Sequence, residues 1–325
     1  MRNPRIEELF AGLGRSAGLQ ALIQKMESGR TDSSAADHIL RLSGLTLTAK
    51  AAYAAVLYRA TGRPQILIAD GSKQAEALFP AIATFCGLLD VAHPPLLLPA
   101  LDVLPGQGMS PHAEILAARA DALDRLSKGM AGIVVMPVAA ALTRTNPPHY
   151  YRQLTLTLRL HEETALDDLS SHLESIGYQR HDPVEMPGEY SIRGGILDVF
   201  PPGQDEPVRI EFFGDEIESI RRFDPASQRS THKLTECVVQ PLTEFHKSRA
   251  MLRELAGHMR EAGLRGLDLP ADGEAFSGWE TLVPIVQARE ATILDFFERP
   301  IVLIDEPELT QAAAERLAIR LEAAP

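Results

Sequence analysis

The sequence predicts an α/β protein in which a parallel-sheet domain, built from two separate segments, is interrupted by a smaller α+β domain. Three observations carry this. Short apolar runs alternate with helical periodicity over residues 65–137, as in a parallel sheet whose strands are joined by helices. The turn-rich stretch TRTNPPHYY then ends that alternation, and strand patterns begin to follow one another closely. Near the end, PIVLID restores a buried-strand run followed by a helical pattern.

Residues 6–26 and 47–60 repeat apolar positions at helical spacing, so helices are expected first. QILIAD (65–70) is a short buried strand and 71–85 the helix after it; PPLLLPA gives a second strand, 112–126 a helix, and GIVVMP (132–137) a third strand. The middle section is expected to hold a strand near 154–160, a helix over 165–176 and several strands over 190–239. Helices over 251–262 and 281–288, a buried strand at 300–305 and a helix over 309–323 complete the pattern. The expected limits are 1–151 and 241–325 for the two α/β segments and 152–240 for the insertion.

A chain of 325 residues is too long for one compact core and suits two or three domains. Its 45% apolar and 23% charged residues are ordinary for a globular protein. The apolar runs are too short for a bilayer, and MRNPRIEELF lacks the apolar core of a secretion signal, so a cytoplasmic protein with no membrane partner is expected. Cys86 and Cys237 sit in apolar contexts without metal-type spacing and read as buried, reduced thiols. The net charge of −12 argues against a broad phosphate-tracking surface. Between 152 and 240 acids outnumber bases 17 to 9, which favours a protein partner for that segment over DNA.

Candidate chemistry is thin. VLIDEPE places Asp305 and Glu306 after an apolar strand, where a nucleotide-hydrolysing site would hold magnesium. A phosphate loop G-x-x-x-x-G-K-[ST] is missing, and ADGSKQ (69–74) lacks both the long glycine loop and the hydroxyl after Lys73. Asp305 and Glu306 are therefore expected to cap the helix starting near Pro307. Ser110-Pro111 reads as a helix cap followed by a first-turn proline; His112 has no nucleophile or metal-type partner, and His172 and His181 are expected to be solvated. No catalytic, cofactor-binding or metal-ligating residue is expected.

The informative stretch is YSIRGGILDVFPPGQDEPVRIEFF, followed by GDEIESIRRFD. Alternation gives Val208, Ile210 and Phe212 to one face of a strand and Arg209, Glu211 and Phe213 to the other. The same logic turns Tyr190 and Ile192 inward and Ser191 and Arg193 outward. Two arginines and a phenylalanine then form one exposed patch, a composition typical of protein interfaces. Pattern alone leaves open whether Phe213 instead closes the core at a strand end. Gly194-Gly195 reads as a bulge or tight bend that aims Arg193, with a phosphate cradle as the weaker reading.

These segments resemble the module shared by the bacterial excinuclease B subunit (UvrB) and transcription-repair coupling factor (Mfd), which carries Y-x-x-R-G-x-x-(L/I/V)-D-(L/V/I)-(F/Y)-P and then R-(I/L)-(E/D)-F-F-x-(D/E)-E-I. LPALDVLPGQGMSPHAEILAARADAL (98–123) resembles the coupling-factor version of the preceding region. The resemblance implies a degenerate UvrB/helicase-like parallel-sheet domain in two segments, 1a-like and 1b-like, around a domain-2-like insertion. It implies a non-catalytic N-terminal fragment that recruits the excinuclease A subunit (UvrA) to stalled transcription complexes through Arg193, Arg209 and Phe213. RNA polymerase and DNA would be partners of other domains of the parent, an ATP-dependent translocase; no cofactor and a monomeric state are expected for this chain. The rival reading is a UvrB-like fragment that binds ATP and damaged DNA.

Overall fold

The computed structural model describes residues 12–28, 39–263, 269–270 and 273–323; residues 6–11 of the first expected helix lie outside them. In chain order the elements begin α1 (Ala17–Ser28), α2 (Leu47–Thr61), β1 (Gln65–Ala69), α3 (Ser72–Leu88), β2 (Leu96–Leu97), α4 (Ala113–Ser127), β3 (Ile133–Pro137), α5 (Val138–Leu142) and α6 (Pro148–Leu154). There follow β4 (Leu156–Arg159), α7 (Leu166–Ser175), β5 (Gln179–Arg180), β6 (Glu189–Arg193), β7 (Ile196–Val199), β8 (Val208–Phe213), β9 (Glu216–Phe223), β10 (Ser230–Leu234) and β11 (Glu236–Val239). The last are α8 (Arg249–Glu261), α9 (Trp279–Leu282), β12 (Ile301–Ile304) and α10 (Pro307–Glu322). By contacts the chain forms two compact units. One comprises Met1–Ala100, Lys128–Thr143 and Thr292–Ile319, the other Leu101–Ser127, Arg144–Ala291 and Arg320–Pro325; the second runs continuously through residues 151 and 240.

The first unit is built on a parallel sheet of order β12-β1-β3-β2. β1 lies between β12 and β3 and is apolar after Gln65 because both its faces need cover. Leu78, Ile82 and Cys86, four residues apart on α3, pack with Ala51 and Ala55 of α2 against Leu67 and Val135 of the sheet. Leu78 and Ile82 are fully buried, each contributing about 1.5–3 kcal/mol. Thr46 starts α2 by accepting from the Ala49 amide at 3.3 Å, and Gly62 ends it at φ 63° with its amide on the Tyr58 carbonyl. β12 comes from the last section of the chain and pairs Gln65 with Ile301 through Ile68 with Ile304. It is not the buried strand expected: as an edge strand it leaves Val302 and Ile304 44% and 53% exposed while Ile301 and Leu303 join the core. PPLLLPA yields only the two-residue β2.

The second unit contains a six-stranded sheet of order β10-β9-β8-β7-β6-β5, antiparallel except for the β5–β6 pair, and a two-stranded sheet of β4 with β11. Val208, Ile210, Leu197, Val199 and Tyr190 bury one face of the larger sheet. The Tyr190 hydroxyl reaches α7, donating to Glu174 at 2.9 Å and sharing a 3.0 Å hydrogen bond with Ser170. α8 begins at Ser248, which accepts from the Met251 amide, and buries Met251, Leu252, Leu255, Ala256 and Met259 at helical spacing. The helix expected over 281–288 is α9 followed by a single 3-10 turn, Val283–Ile285, since Pro284 has no amide to continue an α-helix. Arg119 of α4 makes a two-pronged pair with Glu244 at 3.0 and 3.1 Å, and Arg289 Nη1 stands 3.7 Å from the same carboxylate. All three side chains are at least 95% buried.

Cys86 and Cys237 are both buried, and desolvation pushes their thiols up to about 11 and about 12.

Candidate partner-docking site

The site is assembled by two adjacent hairpin turns. β6 ends at Arg193 and returns as β7 through Gly194 and Gly195, with Arg193 opposite Ile196. Gly194 takes φ 59°, which favours glycine, and a Cβ on Gly195 would stand 2.9 Å from the Phe212 carbonyl oxygen. The paired glycines thus make a tight turn that lies against β8, and the Phe212 amide donates to the Gly195 carbonyl at 2.8 Å. β8 ends at Phe213, opposite Glu216, and turns through Gly214 at φ 63°. Arg193 and Phe213 are the last residues of strands that run the same way, two positions apart in the sheet. They lie at one end of it, about 9–10 Å of sheet apart.

Strand alternation and register put Ser191, Asp198, Arg209 and Arg221 in one row across β6 to β9, with Arg193, Glu211 and Phe213 on the same face. Phe213 is 79% exposed, so it does not close the core. The bulge between β8 and β9 adds its extra residue on β9, which leaves the alternation of β8 intact. Ser191, expected to face solvent, is 2% exposed.

The two arginines are not free, contrary to expectation. Asp198, 1% exposed, accepts from Arg209 Nε at 2.7 Å and Nη2 at 2.8 Å and from Arg193 Nη2 at 2.9 Å. Arg209 also donates to the Gln228 backbone and side-chain oxygens at 3.3 Å and stacks 4.5 Å from the Phe223 ring centre. Its side chain is 17% exposed. The hydrogen bond to Asp198, with the charges of Asp198 and Glu211, holds Arg209 above its ordinary value despite burial. Arg193 keeps 47% exposure, with Nη1 3.2 Å from Asp182. Arg221, in the row of Asp198 and Arg209, pairs with Glu211 of the next row at 3.1 Å. Asp198 was missed from the sequence, though ILDVF shows a single acid that alternation sends to the arginine face.

The other candidates fall elsewhere. Asp305 and Glu306 do not cap α10 with their side chains: the Lys50 ammonium bridges both, and Gln74 donates to Asp305 at 2.8 Å. Ser110 is not a cap either; α4 starts at Ala113, while Ser110 donates to Glu280 at 2.8 Å and accepts from the Gly278 amide at 3.0 Å. His172 is half-buried and donates to the Leu154 carbonyl at 3.1 Å, whereas His112 and His181 are exposed. Among the described residues no cluster of three or more His, Cys, Asp or Glu could hold a metal, and no helix is long and apolar enough to cross a membrane.

Arg193, Asp198, Arg209 and Phe213 all fall within a stretch that a known family accounts for. Residues 156–245 match the UvrB interaction domain. Around this UvrB interaction domain the chain is similar to proteins named transcription-repair-coupling factor. The Haemophilus influenzae protein is 33% identical over 227 residues, 68% of this chain and 20% of the relative. The Bacillus subtilis protein is 31% identical over 279 residues, 81% and 23%. The Myxococcus xanthus protein is 33% identical over 333 residues, 97% and 27%. The chain thus spans a fifth to about a quarter of the length of these relatives.

Proposed function

We propose that this chain is a non-catalytic recruitment module of a transcription-repair coupling factor, and that its UvrB interaction domain docks the excinuclease A subunit. In the intact protein it would bring that subunit to a stalled transcription complex for nucleotide excision repair. RNA polymerase and DNA would be engaged by other parts of the protein. The insertion limits 152–240, between α/β segments 1–151 and 241–325, belong to the same reading.

The observation that carries it is Phe213: a ring 79% exposed at a strand end, on the face and at the sheet end occupied by Arg193, inside the matched domain. An aromatic ring and an arginine that a partner can desolvate are the usual makings of a hot spot. Titration of purified excinuclease A subunit tests it. Phe213→Ala is expected to weaken binding at least tenfold, about 1.4 kcal/mol, with an unchanged melting temperature. Unchanged affinity would refute the assignment.

A UvrB-like fragment that binds ATP and damaged DNA finds less support. The two carboxylates at the end of β12 are already bridged by the Lys50 ammonium.

A further inference from the structure

We infer that Asp198 and Arg209 are positioning residues that hold Arg193 for the partner, and that Arg209 does not itself contact it. The inference rests on the docking reading above and divides the work within the same patch.

The donor inventory decides between the two arginines. A guanidinium has five N–H groups. Arg209 commits Nε to Asp198, Nη2 to Asp198 and Gln228, and Nη1 to the Gln228 backbone, which accounts for four of them. One of its flat faces is covered by Phe223. Arg193 commits one N–H to Asp198 and one to Asp182, a contact open to solvent, and keeps the rest for a partner. Exposure follows the same division, 17% for Arg209 against 47% for Arg193.

Asp198 links them. Its Oδ2 receives both Arg209 Nη2 at 2.8 Å and Arg193 Nη2 at 2.9 Å. The side-on fork of Arg209 fixes the rotation of the carboxylate, so Oδ2 is held where Arg193 can reach it. Ionised donors on an ionised acceptor make these bonds short and directional. Without that carboxylate two guanidiniums would face each other with no charge between them, and Arg193 would swing away from the Phe213 end of the sheet.

The test is a cycle on the whole 325-residue chain. Affinity for purified excinuclease A subunit is measured for wild type, Arg193→Ala, Arg209→Ala and the double variant, with melting temperatures alongside. If Arg209 acts through Arg193, each single change weakens binding about tenfold and the double variant is within about twofold of Arg193→Ala. Asp198→Glu, which keeps the charge, is expected to recover more affinity than Asp198→Asn. Single effects that multiply in the double variant overturn the inference, because Arg209 would then make its own contact; so does an Arg209→Ala variant that binds like wild type. Should Arg209→Ala not fold, Asp198→Asn in the wild-type and Arg193→Ala backgrounds gives the same cycle. Phe213→Ala separates the two levels. Weakened binding there with multiplying arginine effects removes only the positioning role, while unchanged binding for Phe213→Ala removes the docking reading itself.

Discussion

The Asp198 carboxylate takes the whole side-on fork of Arg209, with Nε on one oxygen at 2.7 Å and Nη2 on the other at 2.8 Å. The pair joins neighbouring strands, since Asp198 stands directly opposite Arg209 in the β7–β8 ladder. It therefore fixes side chains that a flexible surface pair would leave loose.

The first prediction concerns stability. Asp198→Ala removes a carboxylate that is 1% exposed and leaves Arg209 beneath Phe223 and Gln228 without its counter-charge. Breaking one side of a buried pair costs about 3–5 kcal/mol, and the remaining exposure of Arg209 places this case near the lower end. Urea denaturation should show a lower midpoint at constant slope. A loss below about 1 kcal/mol would mean that the pair is no firmer than a surface contact.

A second ion pair ties together parts of the second unit that are distant in sequence. Burial alone would raise the Glu244 carboxyl, but the charges of Arg119 and Arg289 and their hydrogen bonds outweigh it and hold it below the ordinary 4.5. A folded-state value below the unfolded one contributes stability that is present above about pH 4.5 and lost as pH falls through the folded value. Glu244→Gln is expected to cost about 3–5 kcal/mol near neutral pH. Its stability should also fall less steeply than that of wild type between pH 4.5 and more acid conditions. Parallel acid arms for the two proteins would show that Glu244 does not titrate as argued.

Gly195→Ala tests how closely the two hairpin turns fit. The new Cβ would lie 2.9 Å from the Phe212 carbonyl oxygen, and that atom is backbone, so a strand has to move. A loss of about 1–3 kcal/mol is expected, together with weaker docking, because the strand that shifts carries Phe213. Gly194→Ala meets open space but sits at φ 59°, so it should cost about 1 kcal/mol through backbone strain alone. Equal effects on docking from the two variants would contradict the role given to the Gly195 contact.

Much of this architecture is legible in the sequence because it depends on short-range periodicity. QILIA and IVVMP announce central strands, and VRIEFF announces which face of β8 is apolar. What escapes is whatever depends on partners far along the chain. IVLI is as apolar as QILIA, yet it becomes an edge strand, because its position is set by pairing with β1 and not by its own composition. Arg209 reads as outward-facing, correctly for its strand face, but Asp198 and Gln228 enclose it from other segments. The Glu244 pairing with Arg119 and Arg289 spans 125 residues on one side and leaves no local signature. Ser110 looks like a cap because serine before proline usually is one, and only the start of α9, with Gly278 before it and Glu280 in its first turn, redirects it.

The final prediction addresses nucleotide binding. In parallel α/β sheets ligands gather beyond the carboxyl ends of the strands, and Asp305 occupies that place after β12, its amide bonded to the Ile68 carbonyl. There the Lys50 ammonium sits between Asp305 and Glu306, where a magnesium ion would otherwise have to bind. Desolvation pulls the Lys50 value down, but the hydrogen bonds and charges of the two acids more than offset it and hold it above 10.5. A raised folded-state value means stability that is fully present below about pH 10.5 and lost as pH rises through the folded value. Lys50→Met should therefore be less stable near neutral pH and lack that alkaline decline. Mg-ATP should leave the melting temperature of the wild-type chain unchanged, whereas a ligand at about 100 times its Kd would add about 2.7 kcal/mol. Clear stabilisation by Mg-ATP would mean that Lys50 yields its place, and would favour the ATP-binding reading over the recruitment module.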